Sequence, residues 1–280
     1  MNKTNVALFT FIKSNSLDEI LSSVLAYNPA KLYLVVDPVS NKADLVHQQK
    51  IKEIVSGYQT QINIQFIVPE THLGIAKIFD FAMEQIFKLE DQIIILEDDT
   101  VPSTSFFDFC NVALDQHKND QTIGSVMGTN LLEGNTNIGF FRSNFGFPYW
   151  GWATWKNRWS NIPKDDSFFE YTPSENSKLN EMLQTFIGTK GINVSWDVRW
   201  SIYQYMKGMD VVLPSINLIS NRGFNEMATF TKNGNSVFSN LPNASNQNNI
   251  NWNTKNEIKE LYLSYIDRVH FFLNEFKTNS

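Results

Sequence analysis

Three adjacent carboxylates, Glu97, Asp98 and Asp99, stand directly behind the apolar run Ile93-Ile94-Ile95-Leu96. A short run of that kind, ending in acids, reads as a strand buried on both faces. Like charges crowded at its end repel one another, and loss of water raises their pKa values. A divalent cation compensates such a cluster best, because Mg²⁺ and Mn²⁺ take carboxylate oxygens together with substrate phosphates. The competing assignment is a solvated helix N-terminus, which also favours acids. The buried strand before the triplet and Thr100-Val101-Pro102 after it speak against that. A fourth carboxylate, Asp197, lies in Ser195-Trp196-Asp197-Val198-Arg199-Trp200 at the start of a predicted helix, where the helix dipole alone would account for an acid. Thr10-Phe11 and Asp37 each follow a predicted strand, which is where a parallel sheet presents ligand contacts. Asp37 is equally an ordinary turn residue. Nine aromatic residues fall between Phe140 and Trp159, with Gly151 among them. Aromatic faces suit the C–H side of a sugar ring, indole N–H groups can meet hydroxyls, and glycine admits close backbone approach. The same residues could instead fill a core between two lobes; Trp152 reads as core or pocket wall, and Trp150 as the more exposed contact.

The elements that must position these residues alternate in type. Val6 to Lys13 reads as a strand, and Ser16-Leu17-Asp18-Glu19 as a capping box opening a helix to about Tyr27. Strands over Lys31–Asp37 and Ile62–Pro69 flank a helical pattern from Ala43 to Tyr58. Leu73 to Leu89 carries Ile75, Ile78, Phe79, Ala82, Met83, Ile86 and Leu89 on one helical stripe. A strand over Gln92–Leu96, a helix over Phe106–His117 and a strand over Ile123–Asn130 follow. This alternation implies βαβ units and a mostly parallel, buried sheet with helices on its faces. The aromatic segment from Phe140 to Trp159 fits neither a helix nor a strand period. Helices are predicted over Lys178–Ile187 and Trp196–Met209, a last strand over Val211–Ile219, and an amphipathic helix over Glu257–Lys277. Residues 225–256 hold 11 Asn among 32, the composition of a polar loop.

The segment from Ile75 to Phe107 resembles nucleotide-sugar glycosyltransferases of the GT-A fold, and in particular the N-acetylglucosaminyltransferase I family and related bacterial family 2-like enzymes. Ile75-Ala76-Lys77, Phe87, the apolar strand, Glu97-Asp98-Asp99 and Phe106-Phe107 follow that family's order. Phe147-Pro148, Gly151-Trp152 and Trp159 match a second stretch, and Trp196-Asp197 a third. The resemblance implies that Asp99 holds Mn²⁺ or Mg²⁺ and that Glu97, Asp98, Lys77, Thr10, Phe11 and Asp37 meet the donor. It further implies that Trp150, Gly151, Trp152 and Trp196 face the sugar or acceptor, and that Asp197 is the general base of an inverting transfer. Lys77 replaces an Arg of the family, and Trp196-Asp197-x-x-Trp200 is longer by one residue than the family's Trp-Asp-Asp-Trp. Arg222, in Ser220-Asn221-Arg222-Gly223, is either a diphosphate contact or a surface turn, and Ala228-Thr229-Phe230-Thr231 lacks the His that closes the metal shell in related enzymes. The implied organisation is one GT-A domain over residues 1–225, with a nucleotide-binding half (1–130) and an acceptor-side half (131–225). An Asn-rich loop and C-terminal helix (226–280) pack on it. The implied partners are a UDP-sugar or another nucleotide-diphosphate sugar and a glycan or lipid-linked glycan acceptor, in surface polysaccharide synthesis. A nucleotidyltransferase, or a non-catalytic carbohydrate-binding scaffold of the same fold, are the alternatives.

Composition excludes other classes. The 280 residues carry 23 Lys and Arg against 29 Asp and Glu, a net charge of −6, with 42% hydrophobic residues. That is too apolar for a disordered chain and lacks the basic footprint of a nucleic-acid-binding protein. The single Cys110 has no disulfide or zinc partner, and His47, His72, His117 and His270 show no ligand spacing. No Gly-x-Ser-x-Gly, P-loop or Gly-x-Gly-x-x-Gly occurs. Apolar runs are far shorter than the roughly 18 residues of a membrane span. The expected location is therefore cytoplasmic, with peripheral contact at the inner face of a membrane compatible with the C-terminal helix.

Overall fold

The computed structural model describes residues 3–132, 139–164, 173–188, 195–224, 234, 236–239, 241 and 259–277. Most of the Asn-rich segment, including Ala228 to Thr231, lies outside them.

Runs that are apolar on every residue become interior strands. β1 (Val6–Thr10) and β4 (Gln92–Glu97) are adjacent and parallel, with Phe9 opposite Glu97. On its other side β1 runs parallel to β2 (Leu32–Val36), which runs parallel to the edge strand β3 (Ile64–Ile67). Beyond β4 come β8 (Trp152–Trp155), β6 (Ile123–Met127), β9 (Asp210–Pro214) and β7 (Phe140–Ser143), in the order β3-β2-β1-β4-β8-β6-β9-β7. β8 is antiparallel to both β4 and β6, and β7 is antiparallel to β9, so the other six strands of the eight share one direction. The fold class is thus α/β with a mostly parallel sheet flanked by helices, as the alternation implied. A separate two-stranded ribbon pairs β5 (Thr100–Pro102) with β10 (Ile219–Asn221).

The helices are α1 (Leu17–Tyr27), α2 (Leu45–Ser56), α3 (Ile75–Ile86), α4 (Thr104–His117), the single turn α5 (Lys156–Trp159), α6 (Ser177–Gly188), α7 (Trp196–Met206) and α8 (Lys259–Lys277). α4 packs over β4, β6 and β8, while α8 packs on β7 and α6. Among the described residues no helix is long and apolar enough to cross a membrane.

Several sequence expectations are corrected. The segment 140–159 contains two strands, β7 and β8. WATW in β8 is buried on every residue and so shows no alternation. The single strand expected over Val211–Ile219 is two, β9 and β10, in different sheets. Ser16 does not cap α1: its backbone is helical rather than extended, and its hydroxyl makes no capping bond. α3 ends at Ile86, which leaves Leu89 outside the helix and exposed.

The aromatic residues form a continuous core. Phe9, Phe79, Trp196 and Trp152 stack in sequence, with ring centroids 3.8, 4.0 and 5.1 Å apart and interplanar angles of 14° or less. The stack joins β1 and α3 to α7 and β8, and Trp159 and Trp200 extend it from Trp152. Such pairs add directional energy to a large buried area.

Candidate active site

Because β1, β2 and β4 are parallel, their carboxyl ends open on one edge of the sheet, the usual ligand edge of such folds. Glu97 closes β4, and a tight turn through Asp98 and Asp99 leads to β5. Thr100 fastens the turn: the Glu97 N–H donates to its Oγ1 (2.8 Å), and that hydroxyl donates back to the Glu97 carbonyl (2.9 Å).

The loop after β1 wraps the acids. The Phe11 N–H donates to Asp98 Oδ2 (3.0 Å), and Lys13 Nζ lies 2.5 Å from Asp99 Oδ2. Gln48 of α2 donates to the carbonyls of Asp37 (2.6 Å) and Phe11 (3.3 Å), tying the loops after β1 and β2 together. On the far flank, the β5–β10 ribbon brings the Arg222 N–H to the Asp99 carbonyl (2.8 Å). It also sets Gly223 against the Asp99 carboxylate, where a Cβ would sit 2.2 Å from Oδ2. Any side chain there would have to displace the Asp99 carboxylate. The Arg222 guanidinium reaches Glu19 Oε1 at 3.9 Å.

Asp37 is buried and holds the entry to α3. Its carboxylate accepts the N–H groups of Leu73 (2.9 Å) and Gly74 (2.8 Å), and the His72 ring lies 3.0 Å from it. Gly74 has φ +76°, a conformation that favours glycine. The His72 ring stacks on Phe11 at 5.3 Å, forming an aromatic face beside the carboxyl ends of β1 and β2. Lys77 is exposed on the first turn of α3, next to this junction. Thr10 is turned inward, its hydroxyl donating to the Val35 carbonyl (3.0 Å).

Asp197 occupies the first turn of α7. The Ser195 hydroxyl and the Val198 N–H (2.8 Å) donate to its Oδ1. Burial raises its pKa, and these two donors oppose the rise. The carboxylate belongs to the same electrostatic cluster as the triplet. Glu97 is raised well above the carboxylate range by burial first, then by Asp99 and Asp197. Asp98 is pushed up to about 7 by burial and Asp99, against the pull of Lys13 and the Phe11 N–H. Burial would lower Lys13, but Asp99, Asp98 and Glu97 together hold it above its ordinary value. Behind Asp197, Arg199 pairs with Asp80, fixing α7 to α3.

Of the aromatic residues expected either to face a sugar or to fill a core, Trp150, Trp152 and Trp196 are buried. Trp150, expected as the exposed contact, is 8% exposed and sits edge-on between Phe224 and Phe272. Trp152 and Trp196 are inside the core stack. Gly151, at φ +74°, has space for no side chain, since a Cβ would meet Ile219 Cδ1 at 2.5 Å. The segment was too apolar to remain at a wet surface once two of its stretches became strands.

Among the described residues no three His, Cys, Asp or Glu side chains converge as a ligand set. Asp99, expected to take the ion, has its Oδ2 against the Lys13 ammonium. Sequence reasoning missed Lys13 and Gly223. The only signal for Lys13 was its place just behind the first strand, and Gly223 is explained only by a ribbon that pairs residues far apart in the chain.

No family model matches the sequence, and no curated protein does. Among solved structures, a UDP-glucose pyrophosphorylase complexed with UDP-glucose superimposes with a TM-score of 0.41 at 6% identity, over 75% of this chain and 90% of that one. A 4-diphosphocytidyl-2C-methyl-D-erythritol synthase from Anaerococcus prevotii gives 0.36 at 14% identity, over 67% of this chain and 85% of that one. At these values neither likeness bears on the chemistry of this chain.

Proposed function

We propose that the chain is a nucleotide-sugar-processing transferase that moves a sugar from a nucleotide-diphosphate donor, a UDP-sugar first, to an acceptor hydroxyl of a glycan or lipid-linked glycan. The observation that carries this reading is the meeting of two sets of carboxylates. The triplet at the end of β4 and Asp197 at the start of α7 come from opposite halves of the chain, yet Asp197 acts electrostatically on Glu97. A half-buried carboxylate with a raised pKa is a stronger base than a free one, and therefore suited to a sugar hydroxyl. The Phe11–His72 stack offers a nucleobase platform on the same edge. In the reaction, Asp197 takes the hydroxyl proton, and the acceptor oxygen forms a bond to the anomeric carbon. The bond from that carbon to the diphosphate oxygen breaks, and its electron pair leaves with the nucleoside diphosphate. Displacement from the opposite face inverts the centre.

Nucleotidyl transfer is the second reading, and one observation favours it: a lysine in the loop after β1 lies against the acid cluster, where a triphosphate would need positive charge. That reaction needs no base for an acceptor hydroxyl and leaves Asp197 without a part. The two are separated by what is released. Incubation with UDP-, GDP-, CDP- and dTDP-sugars should slowly free the nucleoside diphosphate and the sugar, with water in the acceptor's place, whereas nucleoside triphosphate plus sugar 1-phosphate should free no pyrophosphate. Asp197→Asn should lower the diphosphate release by about 10²–10⁴-fold while leaving donor binding intact. In the wild type, the acid limb of the rate should lie at higher pH than a freely exposed Asp would give, since burial raises Asp197. Pyrophosphate release would establish the second reading. Donor binding with neither release would mark a carbohydrate-binding scaffold.

A further inference from the structure

We infer that Lys13 is the cationic group that receives the diphosphate of the nucleotide, standing against Asp99 where the resemblance places a divalent ion. The inference rests on the nucleotide-sugar reading above and is shared by both of its reactions. Three acids at a strand end need countercharge, and the chain supplies it from its own first loop: Lys13 Nζ is 2.5 Å from Asp99 Oδ2. That loop is held in place by the Phe11 N–H on Asp98 and by Gln48 on the Phe11 carbonyl, so the ammonium is delivered by a fastened segment. An ammonium has three donors, and a single bond to Asp99 leaves others for phosphate oxygens. As a compact point charge it suits a diphosphate. The other flank of Asp99 is closed by the backbone at Arg222 and Gly223. An ion at Oδ2 would therefore compete with the ammonium for that oxygen. Among the described residues no group of three or more His, Cys, Asp or Glu side chains is placed to decide that competition for the ion.

Calorimetric titration of the full chain with UDP, GDP, CDP and dTDP, each in EDTA and in Mn²⁺, tests the assignment. The nucleotide that binds should do so in EDTA within about threefold of its affinity in Mn²⁺. Lys13→Met should weaken it by about tenfold or more in both buffers, the loss of a charge-assisted hydrogen bond, whereas Lys13→Arg should stay within about threefold. Wild-type binding that vanishes in EDTA and returns with Mn²⁺ would overturn the Lys13 assignment alone, as would a Lys13→Met protein that binds like wild type. If no nucleoside diphosphate binds wild type in either buffer, the functional reading falls and this inference with it. Should Lys13→Met fail to fold, as judged by circular dichroism, the comparison of wild type with Lys13→Arg in the two buffers still decides.

Discussion

Asp98 shows how a functional cluster opposes folding. Its side chain is buried beside Asp99, and its pKa stands at about 7 against an ordinary 3.8. The folded state therefore holds this proton more tightly than the unfolded chain. Between those two values the folded state binds more protons, so stability falls as pH rises from about 4 through about 7. Asp98→Asn removes the charge and keeps an oxygen to accept the Phe11 N–H. The nucleotide-free variant should melt close to wild type near pH 4 and progressively above it toward pH 8, by a margin of the order of a few kcal/mol at 1.4 kcal/mol per unit. Parallel melting curves for the two proteins across that range would show that the site compensates Asp98 fully. The acids themselves were legible in the sequence, because three carboxylates behind IIIL have few uses. Lys13 was not. A lone lysine in a loop carries no periodic signal, and its partner Asp99 lies 86 residues away along the chain.

At the scale of elements, the aromatic composition proves to be structural. Phe9 and Phe79 come from the first half of the chain, Trp196 and Trp152 from the second, and their stack sets α7, with Asp197 in its first turn, over α3. The ion pair between Arg199 and Asp80 holds the same two helices in register. Trp196→Ala should cost about 3–5 kcal/mol, the usual range for emptying a buried tryptophan site. Chemical denaturation would measure the loss. A full-stability variant with weakened acceptor affinity would instead put Trp196 in a sugar pocket. The strands of the first half were readable from continuous apolar runs, and the helices from their stripes. β8 was not readable, because an antiparallel strand between two buried strands has neither alternation nor a flanking hairpin turn. The boundary between β9 and β10 was hidden for a related reason: Pro214 to Leu218 is nearly as buried as the strands beside it.

The whole molecule is less divisible than a nucleotide half and an acceptor half would be. β8, from the second half, pairs with Gln92–Ile95 of β4 on one side and with Val126 and Met127 of β6 on the other. Directly behind it, the buried Arg158 donates to the carbonyls of His117, Lys118, Asp120 and Ile123, closing the end of α4, while its guanidinium stacks on Trp155 at 4.5 Å. The strand that presents Glu97 is thus bordered by a strand from the second half of the chain, with Gln92 opposite Trp155 and Ile95 opposite Trp152. α8 repeats the pattern at the far end of the sheet. The Tyr265 hydroxyl takes the Phe147 N–H (3.2 Å) and donates to the Phe147 carbonyl (2.9 Å), fastening the helix to the stretch before β8. Residues 1–130 expressed alone would leave β4 and β6 with unpaired inner edges and apolar faces uncovered, a template for aggregation. That fragment should be insoluble or lack a cooperative melt, and mixing it with residues 131–280 should restore a melt only if β8 inserts. A cooperative transition and dispersed amide spectrum from residues 1–130 alone would show that β4 and β6 close on each other without β8. The acid cluster would then belong to an independent nucleotide-binding unit, with Asp197 brought to it from outside.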